Sequence, residues 1–368
     1  MRILVLTFQY ANNMGAQLQC YALARYLKET ERVDCQVLNY LPSDTNVNWS
    51  IINKPKSIRD VLKIIYLICN VKLLVALIRK RKVMLRFVNK YIPLTEEYDR
   101  NRILKQPPTA DAFICGSDQI WNFKYRCDLT YFFDFVDKSK SRIIAYAPSI
   151  ADQWPLDKSE YIAPYLRRFD ALSVRETANL SDLKRISPNN KPVVVCDPVF
   201  LLSKQQWDLV ADYKLCPNEP YIFCYFLSVT PLAVSAVSKI RELTGLKVVH
   251  LNLNALDKLH SDFIIRVANP FDFVGLISKA SYICTNSFHC SAFSILFRKN
   301  FMFIPKHMAN DRIRNLIEVF RLSNVIINKE DIDSMKIEDL DVDYSLTTEV
   351  SKKFVDFSKH YLHSAIFE

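Results

Sequence analysis

The chain has 368 residues, 50% of them hydrophobic, which is enough apolar material for two domains with separate cores. The net charge is +10, but eleven Lys or Arg residues and the single acid Asp60 lie between residues 53 and 90, so this segment carries the whole excess. A nucleic-acid-binding protein would spread its positive charge, and the overall balance is therefore a weak argument for DNA or RNA. The ten cysteines include no CxxC pair and the start matches no signal peptide, so we expect reduced cysteines in a cytoplasmic protein.

Short apolar segments alternate with helical patterns along most of the chain. The predicted strands are residues 2–7, 35–39, 112–115, 143–147, 171–174 and 193–196, followed after Trp207 by 221–226, 248–251, 282–284, 301–304 and 324–327. Apolar strands without polar alternation are typical of parallel strands that helices cover on both faces. The pattern predicts an α/β protein with two doubly wound, Rossmann-like domains.

The domain boundaries follow from where this cycle restarts. We expect a first domain over residues 1–205 and a second over residues 206–345. The tail, residues 346–368, has the pattern of an amphipathic helix, and we expect it to pack back on the first domain.

The basic segment, residues 53–90, interrupts the first domain with a helical and apolar pattern. Lys63, Asn70 and Lys72 break that pattern, whereas a helix that crosses a bilayer needs about 20 apolar residues in a row. One interpretation is a cationic amphipathic helix that lies on an anionic membrane surface. The other is a helical insertion that packs on its own domain and keeps its lysines in solvent.

The loop after the first strand contains a polar stretch at the start of a predicted helix. Ligands of doubly wound folds bind where strands end and helices begin. The free N–H groups near Asn13, Gly15 and Gln17 are suited to hold an anion or sugar hydroxyls. The GxGxxG fingerprint of dinucleotide binding is absent.

A second polar stretch, "GSDQIWN", follows the predicted strand 112–115. Its carboxylate, amides and indole are groups that recognise sugars, with the ring of Trp121 over a sugar face and Asp118 and Asn122 on its hydroxyls. The alternative is an ordinary turn with Trp121 in the core. The predicted binding residues of this stretch are Gly116, Ser117, Asp118, Gln119, Trp121 and Asn122.

Two further strand ends in the first half carry charged residues. Arg175 and Glu176 end the strand 171–174, and the planar fork of an arginine fits a phosphate or a carboxylate. The alternative is a surface pair between these two residues. Asp197 follows the next strand, and we interpret it as the exit from the first domain.

In the second half, "TNSFHC" changes from a strand to a helix. Ser287 is a plausible N-cap, which places His289 in the first helical turn. An imidazole there can bind phosphate or move a proton near neutral pH, although a lone histidine is often structural. We interpret Cys290 as a packing residue, because no base–acid pattern accompanies it.

Positive charge continues at the next strand end. Lys306 and Arg312 follow the strand 301–304, and with His289 they predict a cationic pocket in the second domain. No group of His, Cys or Asp has a convincing metal-ligand spacing, so we expect neither a metal nor a cofactor.

These elements, in this order, resemble the polysaccharide pyruvyl transferase family. The resemblance covers most of the chain and rests on NMGAQLQCYAL, GSDQIWN, YAPS, SVRE, DPVFLL and TNSFHCSAFSILF. Two positions depart from the family pattern: Met14 stands where an aromatic residue is usual, and Cys290 replaces the common glycine after the histidine. The resemblance implies a two-domain fold like that of GT-B glycosyltransferases, with the active site in the cleft.

The resemblance also implies a reaction. A pyruvyl group passes from phosphoenolpyruvate to two hydroxyls of one sugar, in a cell-surface polysaccharide or in a precursor on a polyprenyl diphosphate carrier. It implies Arg175 and His289 as donor-site residues, with Lys306 or Arg312 as a further cation, and we expect the second domain to form the phosphoenolpyruvate side of the cleft. Our hypothesis adds that Asp118 orients or deprotonates the acceptor held by the first domain.

Two other classes of function stay open at this point. A GT-B-type glycosyltransferase would use a nucleotide sugar on the same architecture, and a binding module would have no small-molecule substrate. We expect phosphoenolpyruvate and a sugar as partners and no nucleic acid. Contact of residues 53–90 with the inner face of the membrane stays one of the two interpretations of that segment.

Overall fold

Two parallel β-sheets form the framework of the protein. The computed structural model describes residues 1–42, 57–124, 128–151, 154–252, 258–306 and 311–368. The strands of the first sheet are Arg2–Leu6 (β1), Asp34–Tyr40 (β2), Leu94–Tyr98 (β3), Ala112–Cys115 (β4), Arg142–Ala145 (β5), Ala171–Val174 (β6) and Val193–Val194 (β7). The strands of the second sheet are Tyr221–Tyr225 (β8), Lys247–Leu251 (β9), Phe263–Ile265 (β10), Tyr282–Thr285 (β11) and Asn300–Phe303 (β12).

The strand order is the doubly wound order in both sheets. The first runs β3-β2-β1-β4-β5-β6-β7 and the second β10-β9-β8-β11-β12, with every described pair parallel. The direction of winding reverses between β1 and β4 and between β8 and β11. A crevice opens at the carboxyl ends of the strands beside such a reversal, and ligands of this fold bind there. The predicted fold class is confirmed.

Helices cover both sheets. The α-helices of the described residues are Met14–Glu29 (α1), Ile58–Cys69 (α2), Val71–Tyr91 (α3), Arg100–Lys105 (α4), Leu156–Leu166 (α5), Leu180–Ile186 (α6), Lys204–Asp208 (α7), Pro231–Thr244 (α8), Pro270–Lys279 (α9), Phe288–Leu296 (α10), Asp311–Val319 (α11) and Thr347–Phe367 (α12). The short 3-10 helices are Leu129–Phe132, Thr177–Asn179, Pro188–Asn190, Pro198–Leu201, Lys329–Asp331 and Ile337–Leu340.

The predicted strands differ from the observed ones at the edges of the sheets. The edge strands β3 and β10 were not predicted. Only an isolated bridge between Phe303 and Ile326 forms in the segment predicted as strand 324–327. Asn324 has a φ of 57°, which is left-handed backbone, so an extended strand cannot begin there.

The last helix, α12, connects the two units of the fold. The first unit is built on the sheet of β1–β7 and the second on the sheet of β8–β12. Ser358 Oγ accepts a hydrogen bond of 2.9 Å from the backbone N–H of Cys196. The hydroxyl of Tyr361 donates to the carbonyl of Ala145, also at 2.9 Å. At the start of the helix, Thr347 Oγ1 donates to the carbonyl of Phe320 in the second unit at 2.9 Å. The helix therefore packs on the first unit and is tied to the second.

The basic insertion is a pair of consecutive helices, α2 and α3; residues 53–56 of the predicted segment lie outside the described residues. The end of α3 is anchored by Phe87 and Tyr91, whose rings each lie 4.9 Å from the ring of Phe271 in α9. In the part of the chain that the structure describes, no helix has the length and apolar character to cross a bilayer.

Candidate functional site

A buried carboxylate, Asp197, lies where the two units meet. Its Oδ2 accepts a hydrogen bond of 2.7 Å from Nη1 of Arg175 and one of 3.2 Å from Oγ of Ser117. Nε2 of His289 lies 3.5 Å from the same oxygen. Its Oδ1 accepts from the backbone N–H of Val199 at 3.1 Å. Asp197 thus joins Arg175 of the first unit to His289 of the second.

The chain delivers these residues from the ends of parallel strands. Ser117 follows β4, Arg175 directly follows β6, and Asp197 lies three residues beyond β7, where it caps the 3-10 helix Pro198–Leu201. His289 lies in the first turn of α10 after β11, and Ser287 caps this helix by accepting from the N–H of Cys290 at 3.4 Å. Since carboxyl ends of parallel strands share one edge of a sheet, the side chains converge on one crevice.

Arg175 is almost fully buried, with 4% of its surface exposed. Its guanidinium stacks over the ring of Phe288, 4.1 Å from the centroid. Nε lies 3.7 Å from Oε2 of Glu176, which is beyond a hydrogen bond, and among the described residues neither Nε nor Nη2 has a hydrogen-bond partner. These two nitrogens can donate parallel hydrogen bonds to a planar or tetrahedral anion.

Glu176 is buried too, so the alternative of a surface pair is wrong. Its Oε1 accepts hydrogen bonds from Ser149 Oγ and from the backbone N–H groups of Ile150 and Ala151, at 2.7–2.9 Å. This carboxylate is therefore fixed by the loop after β5 and holds that loop beside Arg175.

The charges of the site shift the ionisation of its members. Burial alone would raise the pKa of the Asp197 carboxyl, but His289 and Arg175 together hold that pKa well below its usual range. Burial would lower the pKa of the Arg175 guanidinium, whereas the carboxylates of Asp197, Glu176 and Asp118 raise it. Asp197 and Arg175 are therefore both charged at neutral pH.

His289 also lies against the start of α1. A methyl group built on Gly15 would be 2.1 Å from Nδ1 of His289, so the ring occupies the space that a side chain at position 15 would need. Asn13 caps α1 by accepting from the N–H groups of Gly15 and Ala16 at 2.9 and 3.2 Å. The starts of α1 and α10 therefore meet at this histidine, and helix starts carry partial positive charge.

The other residues of the first loop and of α10 are structural in part. Gln17 is fully buried and donates to the carbonyl of Ala11 at 3.2 Å, while its Oε1 is without a hydrogen-bond partner among the described residues. Cys290 is fully buried, and burial raises the pKa of its thiol to about 12. A thiol with this pKa is a poor nucleophile, which agrees with the interpretation of Cys290 as a packing residue.

The "GSDQIWN" stretch contributes polar groups at the end of β4. Asp118 is half-buried in left-handed backbone with a φ of 75°, and its carboxylate accepts from the N–H of Gln119 at 2.8 Å. The amide of Asn122 donates to the side chain of Gln119 at 2.9 Å. Gly116 packs closely on β1, since an added methyl group would lie 3.1 Å from Cβ of Thr7.

The predicted sugar contact of Trp121 is wrong in this structure. The indole is fully buried, is stacked on Phe132 at 5.1 Å, and donates its N–H to the carbonyl of Tyr131 at 3.1 Å. A ring without exposed surface cannot cover a sugar face, so the alternative of a turn with Trp121 in the core is the correct one.

The two further cations lie after β12. Lys306 is exposed three residues beyond the strand, and Arg312 is half-buried in the first turn of α11. That one of these two cations contacts an anionic donor stays a prediction. Within the described ranges, no group of three His, Cys, Asp or Glu side chains is arranged to hold a metal ion.

Sequence reasoning missed Asp197 as a site residue. The prediction treats it as the exit from the first domain, although it lies just beyond an apolar strand, as Asp118 and Arg175 do. A rule that treats every charged residue at a strand end alike would have found it.

Comparisons with known proteins place this geometry in context. The family model for polysaccharide pyruvyl transferase matches residues 13–306. No curated protein sequence gives a significant match.

Solved structures resemble the whole chain at low identity. The UDP-GlcNAc 2-epimerase of Methanocaldococcus jannaschii is 12% identical, with a TM-score of 0.51, 97% of this chain covered and 93% of that chain. A Listeria monocytogenes protein assigned as a UDP-N-acetylglucosamine 2-epimerase is 8% identical, with a TM-score of 0.52 and coverage of 99% and 90%. The glycosyltransferase SnogD from Streptomyces nogalater aligns with a TM-score of 0.45 and 11% identity, over 99% of this chain and 97% of that chain.

The likeness to the two epimerases concerns the fold, a pair of facing α/β units of the GT-B kind. The family match extends from the cap of α1 to three residues beyond β12, and so includes Arg175, Asp197 and His289. The chain belongs to the polysaccharide pyruvyl transferase family.

Proposed function

We propose that the protein transfers a pyruvyl group from phosphoenolpyruvate to two hydroxyls of one sugar, forming a cyclic ketal in a cell-surface polysaccharide or its lipid-linked precursor. The observation that supports this most strongly is Arg175, a buried cation with Nε and Nη2 unpaired among the described residues. Phosphoenolpyruvate carries a carboxylate and a phosphate, and either group can accept both hydrogen bonds.

The charge balance of the site sets a further requirement. Asp197, Glu176 and Asp118 lie near Arg175 and offset its charge. An anionic donor therefore needs additional positive potential. The starts of α1 and α10 supply part of it, and Lys306 or Arg312 supplies the rest.

The reaction assigns a role to each group. A proton is added to the methylene carbon of phosphoenolpyruvate, and the adjacent carbon, now cationic, forms a bond to the first sugar hydroxyl. The second hydroxyl then displaces inorganic phosphate from that carbon. Of the two protons that the hydroxyls lose, one balances the proton on the methyl group and the other leaves with phosphate or solvent.

In this scheme His289 donates the proton or holds the phosphate, and Arg175 holds an anionic group of the donor. Asp197 keeps Arg175 in place through Nη1 and leaves its other donors to the substrate. Asp118, half-buried at the same crevice, orients or deprotonates the acceptor.

The direct test is calorimetric titration with phosphoenolpyruvate. We expect the wild type to bind, and His289→Ala and Arg175→Ala each to bind at least about tenfold more weakly, since hydrogen bonds to charged groups contribute about 1.5–3 kcal/mol. Arg175→Lys keeps the charge but not the fork, and should also lose affinity. His260→Ala removes an exposed histidine outside the site and should bind as the wild type does.

A folded protein that binds a nucleotide sugar, and does not bind phosphoenolpyruvate with or without lipid-linked sugars present, would contradict the proposal. That result would favour a glycosyltransferase. Circular dichroism of every variant separates a loss of binding from a loss of fold.

A further inference from the structure

The helix α2 presents an apolar face to solvent. Its exposed side chains recur three or four residues apart, the spacing that places them on one side of a helix. Together with three residues at the start of α3 they form the apolar stripe, which consists of Ile58, Val61, Leu62, Ile65, Tyr66, Ile68, Val71, Val75 and Ile78. Ile58 is 82% exposed and Leu62 61%, whereas helices of globular proteins normally bury such a face.

Cations continue the stripe along α3. Lys72, Arg79, Lys82 and Arg86 are exposed, and helical spacing places them on the same side as Val71, Val75 and Ile78. The sequence has no acid between residues 61 and 95 to pair with them. One continuous surface is therefore apolar at one end and strongly positive at the other.

The opposite end of the insertion is firmly packed. Met84, Phe87 and Val88 in the last turns of α3 are buried, and Phe87 contacts Phe271 of the second unit. The fold thus fixes the base of the two helices, and the described residues leave the apolar stripe exposed.

We propose that α2 and the first half of α3 bind the surface of an anionic lipid bilayer, with the apolar stripe at the boundary between headgroups and acyl chains. The cations then lie at the level of the lipid phosphates. This binding does not depend on the chemistry proposed for the site around Asp197.

The charge pattern favours a bilayer over other partners. In a symmetric dimer through this face, Lys72, Arg79 and Lys82 would be buried without an acid from this surface to pair with them, whether they faced their own copies or apolar side chains. A nucleic acid would satisfy the cations but would leave nine apolar side chains in water. Lipid satisfies both halves of the surface.

Vesicle flotation of the full chain tests the proposal. We expect binding to vesicles of phosphatidylcholine with phosphatidylglycerol, much weaker binding to phosphatidylcholine alone, and weakening by salt. The triple variant Ile58→Ser, Leu62→Ser, Ile65→Ser should bind at least about tenfold more weakly. The triple variant Lys72→Gln, Arg79→Gln, Lys82→Gln should lose about fivefold for each charge removed.

The matched control replaces exposed apolar residues elsewhere. Leu209→Ser and Leu346→Ser, at positions 80% and 62% exposed, should float as the wild type does. On every variant, light scattering detects a dimer, chemical denaturation measures stability, and titration with phosphoenolpyruvate checks that the site is intact. Equal flotation of all variants, or a dimer that the serine variant dissociates, overturns the proposal. A serine variant that unfolds more easily but still floats would instead assign the stripe to contacts within the chain, and so would also overturn it.

Discussion

Asp197 is the residue on which the site depends. It is buried between two groups that can both be cationic, and it belongs to the first unit while one of those groups belongs to the second. A buried charge is tolerated when it is paired, and removing one partner of such a pair costs about 3–5 kcal/mol because the other is left uncompensated.

Asp197→Asn tests this dependence. The amide keeps the shape but not the charge, so we expect the free energy of unfolding to fall by about 2 kcal/mol or more, measured by chemical denaturation. Glu349→Gln is the control, because the pair of Glu349 with Lys353 is exposed and such pairs contribute about 0–1 kcal/mol.

The pH dependence has a definite sign. The pKa of the Asp197 carboxyl is lower in the folded protein than its usual value, so its stabilisation is complete above that usual value, near 4, and is lost as the pH falls further. The difference between wild type and Asp197→Asn should therefore be no smaller at pH 5 than at pH 7. A difference that vanishes at pH 5 would contradict a charged Asp197.

Gly15→Ala tests the contact between the units at His289. The new methyl group would lie 2.1 Å from Nδ1, so the ring or α1 must move, and we expect weaker binding of phosphoenolpyruvate by calorimetry. Gly245→Ala is the control: its φ of 67° brings backbone strain, but no atom lies within 4 Å of the added methyl group. It should lose stability and keep donor affinity, and a similar loss of affinity in both variants would count against the contact.

At this scale, residue chemistry predicted part of the site. Arg175 and His289 could be found because each lies within a few residues of the end of a strand and carries a group suited to an anion. Trp121 could not be placed, because an indole beside polar residues fits both a sugar face and a core, and only its packing against Phe132 decides. Asp197 lies just beyond a strand as well, but its pairing with Arg175 and His289 comes from the fold and cannot be read from the sequence.

Among the elements, β9 carries an unusual core residue. His250 is 1% exposed, and among the described residues neither ring nitrogen has a hydrogen-bond partner. Burial, with the nearby charge of Arg266, lowers the pKa of this imidazole from 6.5 to about 4. The folded protein therefore holds His250 neutral at a pH where the unfolded chain already protonates it.

The stability of the protein should fall with acidification as a result. Between pH 6.5 and pH 5 the unfolded state binds the extra proton, so we expect the wild type to lose about 1.5 kcal/mol from this group. His250→Leu should remove that part of the loss, and His260→Leu, at an exposed histidine, should not. Denaturant titrations at both pH values measure the free energy of unfolding. If it falls by the same amount in the wild type and in His250→Leu, His250 is excluded as the cause.

The buried central strands were the elements that the sequence predicted well. Their apolar runs are unambiguous because helices cover both faces. The edge strands β3 and β10 have exposed positions and mixed composition, such as LTEEY in Leu94–Tyr98, so no period identifies them. The sequence predicts the cationic character of the insertion directly. Which of its apolar side chains are exposed could be known only from the way α3 packs in the structure.

At the scale of the whole molecule, α12 makes hydrogen bonds to both units. Leu362 on this helix is fully buried, whereas Phe357 is 46% exposed. We expect Leu362→Ala to lower the free energy of unfolding by about 2–5 kcal/mol, and Phe357→Ala by less than about 1 kcal/mol. Chemical denaturation with fluorescence and circular dichroism checks this, and equal effects of the two changes would show that the helix does not pack as described.

The close approach of Gly15 and His289 also limits how relatives of this protein can be recombined. A hybrid that joins the first unit of one family member to the second unit of another would keep two intact folds. Its site would nevertheless be obstructed wherever position 15 carries a side chain, because the imidazole already fills that space. In hybrid enzymes the glycine and the histidine must be inherited together, although 273 residues separate them in the sequence.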